Sequence, residues 1–393
     1  WKKNQAGEVV RGKARLVAKG FLQREGLNFS ETFSPTPVPS SIRMIAITAL
    51  QHDWGLSHWD IEQAFCQSEI DREIYFTLLD GCDGFSDKVV KLYKSLYGSR
   101  QRPRVLDGKE VRLVVGVNVD DLIVTGESRC CKELRAFLQQ SFPTKDLGSI
   151  SYYVGREYSR NRTAGTPRVT QTVCIDRLAE KFGVTMSSPT PALTSVSLSP
   201  RKNEEARCEK PYWEVVGGLN ALASCAQGHR VPEGHPGQGI TYKKSPSSRL
   251  TAYADSSFAK NKQDRQSVSG GVVFLAGGAI SWFSGTQHCV TLSATESEYV
   301  ALSDVVREVV FLRGLMGFLL PGLQRGAVTV LEDDDGAVKL ASNLICTNRT
   351  KHIEVRSYFV REKVEEKTIM VVHVSSENQT ADDLTKNLPP EAL

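Results

Sequence analysis

The sequence predicts a multidomain chain of mixed α+β and α/β class, and three observations carry that prediction. A length of 393 residues, 40% of them apolar, can bury more than one core, and ordinary domain sizes divide it into about two or three. From Ser248 onward, short β-branched runs and helical patterns follow one another in the order βββαβααβα. A Ser/Pro-rich, apolar-poor stretch between Ser187 and Arg207 separates that region from an N-terminal part with its own strand and helix signals. The expected domains are 1–126, 127–247 with the linker at 187–207, and 248–390.

In the first domain the long apolar run Val111 to Val119 is followed by Asp120-Asp121 and then Leu122-Ile123-Val124. Two β-branched runs around a pair of acids read as a β-hairpin with the acids at its turn. Earlier, Arg11, Lys13 and Arg15 alternate with Ala14, Leu16 and Ala18. The period of two would put the charges on one face of a strand. Between 127 and 190 the pattern predicts a helix from Lys132 to Gln140, a strand from Ile150 to Glu157 and a second helix over Cys174 to Phe182. The Gly/Pro/His-rich stretch Gln227 to Gly239 reads as irregular.

The last domain opens with three strand signals, Leu250 to Asp255, Gly271 to Leu275 and Ala279 to Phe283, joined by turn residues as in an antiparallel meander. Thr295 to Leu320 is a long helix, with Val306, Val309, Val310 and Leu315 recurring at three and four. Val328 to Leu331 is a strand, Gly336 to Ser342 and Ile353 to Glu366 are helices, Ile369 to Val374 is the last strand, and Thr380 to Lys386 is helical.

The net charge is only +4, which permits a polyanionic partner without demanding one. Nine cysteines, an odd number with no C-x-x-C pair, predict reduced thiols in an intracellular protein rather than a disulfide framework or a zinc finger. The start Trp1-Lys2-Lys3-Asn4-Gln5 lacks an apolar core, and no apolar run is long enough for a membrane span, so no membrane association is expected. Opening on Trp1 rather than Met predicts a fragment, a processed product or a trimmed segment.

Four acids of the last domain stand where a strand exit or a helix could aim them at one edge of a sheet: Asp255, Glu298, Asp333 and Asp382. A lone acid is usually solvated or capping. Four that converge suit two divalent cations in phosphodiester cleavage, and hard oxygen ligands favour Mg2+. In the first domain Asp60, between Trp59 and Ile61, and the pair Asp120-Asp121 could hold two Mg2+ ions in the same way for nucleotidyl transfer. An acid pair at a hairpin turn is otherwise ordinary turn chemistry.

The segments Tyr253-Ala254-Asp255-Ser256, Ala279-Ile280-Ser281-Trp282, Leu292 to Tyr299, Asn348-Arg349-Thr350-Lys351-His352-Ile353 and Gln379-Thr380-Ala381-Asp382 resemble the ribonuclease H domain of copia-type LTR retrotransposons. The segments Lys13 to Phe21, Glu31 to Pro35, Trp59 to Phe65 and Lys94 to Gly98 resemble successive blocks of the reverse transcriptase of the same Pol polyproteins. The resemblance implies contracted reverse-transcriptase fingers and palm, followed by a ribonuclease H-like mixed five-stranded sheet with helices. It implies catalytic and metal-binding roles for Asp255, Glu298, Asp333 and Asp382, with Glu296 as the fallback for Glu298, and for Asp60, Asp120 and Asp121 in the palm. It further implies two Mg2+ ions per active site, and RNA template, RNA/DNA hybrid and deoxynucleoside triphosphates as substrates. Protease and integrase parts of the polyprotein would lie upstream, and the implied location is cytoplasmic with a nuclear stage. Lys13, Arg15 and Lys19, together with Arg349, Lys351 and His352, are candidate phosphate contacts.

Four departures qualify the expected activity. Only Val105 to Glu110 separate Pro103-Arg104 from the strand leading to Asp120. Six residues make under two helical turns, whereas the family has a long helical segment there. Asn118 occupies the place of the family's Tyr, and a second contraction is expected between Ala226 and Gly239. The polymerase half is therefore expected to be impaired and the nuclease half preserved. The alternative is a non-catalytic nucleic-acid-binding remnant of a decayed element. Asp334 and Asp335, where the family commonly has Asn after the Asp333 position, would add charge beside the metals.

Overall fold

Residues 2–3, 9–11, 38–62, 69–77, 89–94, 111–118, 120–161, 166–173, 176–177, 180, 239–245, 248–260, 264–323, 326–342 and 354–385 are described by the computed structural model of the chain. They fall into two units, one of 1–38 with 55–149 and one of 39–54 with 150–393. Among the described residues no helix is long and apolar enough to cross a membrane.

In the first unit the short strands β1 (Lys2–Lys3) and β2 (Val9–Arg11) pair, as do β4 (Glu69–Thr77) and β5 (Val89–Lys94). The main sheet has the order β6-β7-β3-β8, from β3 (Gly55–Ile61), β6 (Leu113–Asn118), β7 (Asp121–Gly126) and β8 (Thr144–Ser149). All its pairings are antiparallel. The predicted hairpin is there, with Asp120 in its turn. Alternation along the strands sends Trp59, Leu122 and Val124 to one face. Cys131, Leu134 and Leu138 pack against that cluster. They recur at three and four on the helix Ser128–Ser141, the amphipathic spacing that seats a helix on a sheet.

In the second unit α1 (Pro39–Gln51) starts on a proline, whose fixed φ and missing N–H suit the first helical position. Nearly every side chain from Ile42 to Leu50 is buried. Arg43 donates to the carbonyl of Ile280 at 2.9 Å and stacks 3.9 Å over the Trp282 ring. This helix, within the range expected for the first domain, packs with the elements of the second unit. The helix after β7 is numbered α2.

The predicted single strand Ile150 to Glu157 is instead a tight hairpin, β9 (Tyr152–Tyr153) and β10 (Arg156–Asn161). Val154 and Gly155 turn with φ of 45° and 75°, a left-handed conformation that only the glycine adopts without strain. The apolar pattern hid the turn because Val154 reads as a strand residue. A four-stranded sheet β12-β11-β10-β9 follows, with β11 (Thr166–Thr170) and β12 (Ile240–Thr241). Residues 172–173, 176–177 and 180 are helical, in the place of the predicted second helix. The linker 187–207 and residues 227–238 lie outside the described residues.

The last region follows the predicted element order: β13 (Thr251–Ser257), β14 (Val268–Leu275), β15 (Gly278–Thr286), α3 (Ala294–Leu319), β16 (Val328–Glu332), α4 (Asp335–Ser342), α5 (Glu354–Glu365), β17 (Ile369–His373) and a short α6 (Asp382–Thr385). The five strands form one sheet in the order β15-β14-β13-β16-β17. β13, β14 and β15 are antiparallel neighbours, while β16 joins β13 and β17 joins β16 in parallel. This is the mixed five-stranded sheet expected. α3 lies across one face and buries Tyr299, Val300, Leu302, Val305, Val306, Val309 and Leu312. The opposite face carries Val272, Ala279, Ala381 and Leu384.

Candidate active sites

β13 and β16 run in parallel, so their C-terminal ends open at the same edge of the sheet. Asp255 sits near the end of β13, Asp333 just past the end of β16, and Glu298 in the first turns of α3. Carboxylate oxygens of these three lie within 4.8 Å of one another, the one such acid group among the described residues. Asp255 is fully buried. Burial, and next the charge of Asp255, push the Glu298 carboxyl up to about 8, against hydrogen bonds from Ser256 that favour its ionised form. Three clustered hard-oxygen acids, one of them driven to keep its proton, suit a divalent cation, which would neutralise the repulsion that the proton otherwise relieves.

Helix capping sets the two glutamates apart. Ser293 caps α3 by accepting from the N–H of Glu296 at 3.2 Å, and Glu296 reaches back to accept from the N–H of Leu292 at 2.7 Å. The pattern Ser-x-x-Glu is that of a capping box. Glu296 is occupied with the helix start, while Glu298 faces Asp255.

Asp334 is likewise a cap. Its Oδ1 accepts from the N–H of Ala337 at 2.7 Å and its Oδ2 from the hydroxyl of Thr295 at 3.2 Å. It closes the N-terminus of α4, where Asp and Asn serve equally well. Asp335 stays exposed, with His373 Nε2 at 3.8 Å.

Two hydroxyls hold the clustered acids in place. Ser376 donates to Asp333 Oδ2 at 2.8 Å, and the buried Thr385 donates to Asp255 Oδ2. α6 can approach because position 270 has no side chain. A Cβ there would stand 2.6 Å from Thr385 Cγ2 and 2.9 Å from Leu384 Cβ. Gln379, buried, ties the same segment to β13 by donating to the carbonyl of Ala254 at 2.8 Å. Asp382 opens α6 beside these residues but is outside the group of three.

Glu332, which the sequence reading passed over, is completely buried. Burial first, and Glu298 next, push its carboxyl well above the usual range. A signal for it was present: Val328, Val330 and Glu332 alternate along β16, and the first two are core residues.

In the first unit Asp60 stands directly opposite Asp121 across β3 and β7, and Asp120 occupies the hairpin turn. The three sequence-predicted acids are thus brought to one end of the sheet. Burial, then Asp121 and Asp120, raise the Asp60 carboxyl. His58, two positions before Asp60 and so on its face, has Nε2 at 3.1 Å from Asp121 Oδ1. Lys145 of β8, opposite Asp60, pairs with Glu62. The candidate phosphate contacts Lys13, Arg15, Lys19, Arg349, Lys351 and His352 lie outside the described residues, as do Val105 to Glu110.

Residues 1–109 and 105–194 match the sequence profile of the reverse transcriptase (RNA-dependent DNA polymerase) family. The chain is 30% identical over 452 aligned positions, 99% of its own length, to the retrovirus-related Pol polyprotein from transposon TNT 1-94 of Nicotiana tabacum. It is 31% identical over its whole length to that from transposon RE1 of Arabidopsis thaliana. It spans about a third of the length of these relatives, 34% and 30%. Among solved structures, ribonuclease H1 of Halobacterium salinarum aligns with 35% of this chain and 93% of its own at 17% identity and a TM-score of 0.25. A foamy viral protease–reverse transcriptase in complex with double-stranded DNA aligns with 82% of this chain and 57% of its own, at 11% identity and a TM-score of 0.42. By its sequence the chain is a relative of the copia-type retrotransposon Pol polyproteins, its residues 1–194 matching the reverse transcriptase family and its last region forming the mixed five-stranded sheet.

Proposed function

We propose that the C-terminal region cleaves the RNA strand of RNA/DNA hybrids, and that the N-terminal region is an impaired RNA-directed DNA polymerase. The observation that carries the nuclease reading is the convergence of Asp255, Glu298 and Asp333 within 4.8 Å at one sheet edge. Two Mg2+ ions held by these acids, with Asp382 as the fourth, would supply an activated water and steady the leaving oxygen. The chain's own part is placement. Thr385 fixes Asp255, Ser376 fixes Asp333, and the capping box sets the start of α3 and with it the position of Glu298.

For the polymerase, Asp60, Asp120 and Asp121 would hold metal against an RNA-templated primer and an incoming deoxynucleoside triphosphate. Impairment is supported by the family match falling into two pieces that meet at 105–109, where the resemblance calls for a longer helical segment. The tobacco alignment runs over more positions than this chain has residues. Asn118 pairs with Asp121 at the hairpin end, where the resemblance calls for Tyr. The implied location is the cytoplasm with a nuclear stage, and exclusive recovery of the tagged chain from another compartment would contradict it.

The test is incubation of the full chain with a labelled RNA/DNA hybrid and Mg2+, beside a primed RNA template with deoxynucleoside triphosphates. Cleavage without extension is the expected result. Neither cleavage nor extension, with hybrid binding retained, would establish the non-catalytic remnant instead.

A further inference from the structure

On the face of the sheet that α3 covers, a chain of buried polar groups runs behind the clustered acids. Asp255 faces α6 through its Thr385 contact, so strand alternation turns Ser256 to the opposite face, toward α3. There its hydroxyl oxygen lies 2.7 Å from that of Ser297. Ser297 donates its one proton to the carbonyl of Ala294 at 2.8 Å. The proton between the two hydroxyls therefore comes from Ser256. Gln287 adds a second tie, its Nε2 donating to the Ser297 carbonyl at 2.9 Å and to Ser269 Oγ at 3.0 Å. Ser269 is the β14 partner of Ser256.

All four of these side chains are at most 3% exposed. Alanine or an aliphatic side chain would fill such positions without the desolvation cost that buried hydroxyls and amides carry. What the polar groups add is direction. Apolar packing is non-directional, whereas a hydrogen bond holds only over a narrow range of distance and angle. The bonded hydroxyls belong to chain neighbours of the clustered acids: Ser256 follows Asp255, and Ser297 precedes Glu298.

We propose that Ser256, Ser297 and Gln287 lock the first turn of α3 onto β13 and β14, and so hold Glu298 at the distance from Asp255 that a divalent cation needs. The inference rests on Asp255, Glu298 and Asp333 holding metal. The three locking residues are positioning residues, which act through the placement of Asp255 and Glu298. They keep the acids gathered before an ion arrives. Without the lock, part of the folded population has Glu298 displaced, and the apparent affinity for the ion falls in proportion to the fraction left competent.

The experiment uses the full chain and reads ion binding by the folded protein. Mn2+ is titrated calorimetrically into wild type, Ser256→Ala, Ser297→Ala, the double variant and Gln287→Met, at a temperature where melting curves show each to be folded. The expected result is that each single variant binds Mn2+ about threefold to tenfold more weakly, the range that one lost hydrogen bond produces. The double variant is expected to bind no worse than Ser297→Ala, because both changes break one bond and the second removes the stranded Ser256 hydroxyl. Should the others fail to fold, Ser256→Ala decides alone, since it leaves Ser297 bonded to Ala294. Wild-type Mn2+ affinity in the folded variants, or losses that add in the double variant, would overturn the lock while the metal reading stands. If wild type itself binds no Mn2+, the metal reading falls and the inference with it.

Discussion

Ser376 and Asp333 are joined by a 2.8 Å hydrogen bond across 43 positions of sequence, from the short helical turn after β17 to the end of β16. The bond leaves one Asp333 oxygen fixed and directs the carboxylate toward Asp255 and Glu298. Ser376→Ala is expected to leave stability within about 0.5–1 kcal/mol of wild type, since the bond is exposed. It should raise the Mg2+ concentration needed for half-maximal hybrid cleavage severalfold. An unchanged Mg2+ dependence would mean that the serine does not orient the acid.

Asp334 is expected to act as a cap and not as an added charge at the metals. Asp334→Ala should cost about 1 kcal/mol in urea denaturation, and Asp334→Asn should restore most of it, because an amide oxygen caps α4 as a carboxylate does. Equal losses in the two variants would show that the charge itself matters.

The metal-free centre sets a pH dependence of stability. Glu298 is raised from 4.5 to about 8 in the folded chain, so between those values the fold holds a proton that the unfolded chain has released. Stability from this group is fully present below about pH 4.5 and is lost as pH rises toward 8, at a slope on the order of 1.4 kcal/mol per pH unit. Melting in EDTA across that window should show the fall, and Glu298→Gln should flatten it. A melting temperature that climbs over the same range would contradict the assignment.

Gly270 lets α6 reach β14, so Gly270→Val should displace Thr385 and Leu384, which a Cβ there would meet at 2.6 and 2.9 Å. The expected effect is a loss of about 1–3 kcal/mol by overpacking, with hybrid cleavage falling at least tenfold as Asp255 loses its Thr385 contact. Wild-type cleavage by a folded Gly270→Val chain would show that α6 does not support Asp255.

Most of the last region was legible because its periods are clean. Apolar residues at three and four marked α3, and β-branched runs between turn residues marked the strands. Asp255, Glu298 and Asp333 stood at element ends, where a fold can gather residues far apart in sequence. The capping role of Glu296 was written in Ser293-Ala294-Thr295-Glu296, yet which glutamate faces Asp255 follows only from how α3 sits on the sheet. Glu332 lies in the acidic run Glu332-Asp333-Asp334-Asp335, where local pattern does not tell a buried acid from an exposed one. Its burial comes from the parallel pairing of β16 with β13 and β17, a long-range relation that local pattern does not contain. α1 carries apolar residues on all sides, so its periodicity names no partner. The hairpin at Val154-Gly155 escaped because a β-branched residue occupies a positive-φ position.

Hybrid cleavage by the full chain tests most directly whether Asp255, Glu298 and Asp333 form the proposed metal-dependent nuclease centre. Wild-type protein, Asp255→Asn and Asp120→Asn are incubated with a labelled RNA/DNA hybrid in Mg2+ or EDTA. The expected result is cleavage by wild type and Asp120→Asn in Mg2+ alone, and a loss of at least about a hundredfold in Asp255→Asn. Cleavage that persists in Asp255→Asn, or that is lost in Asp120→Asn instead, would contradict it.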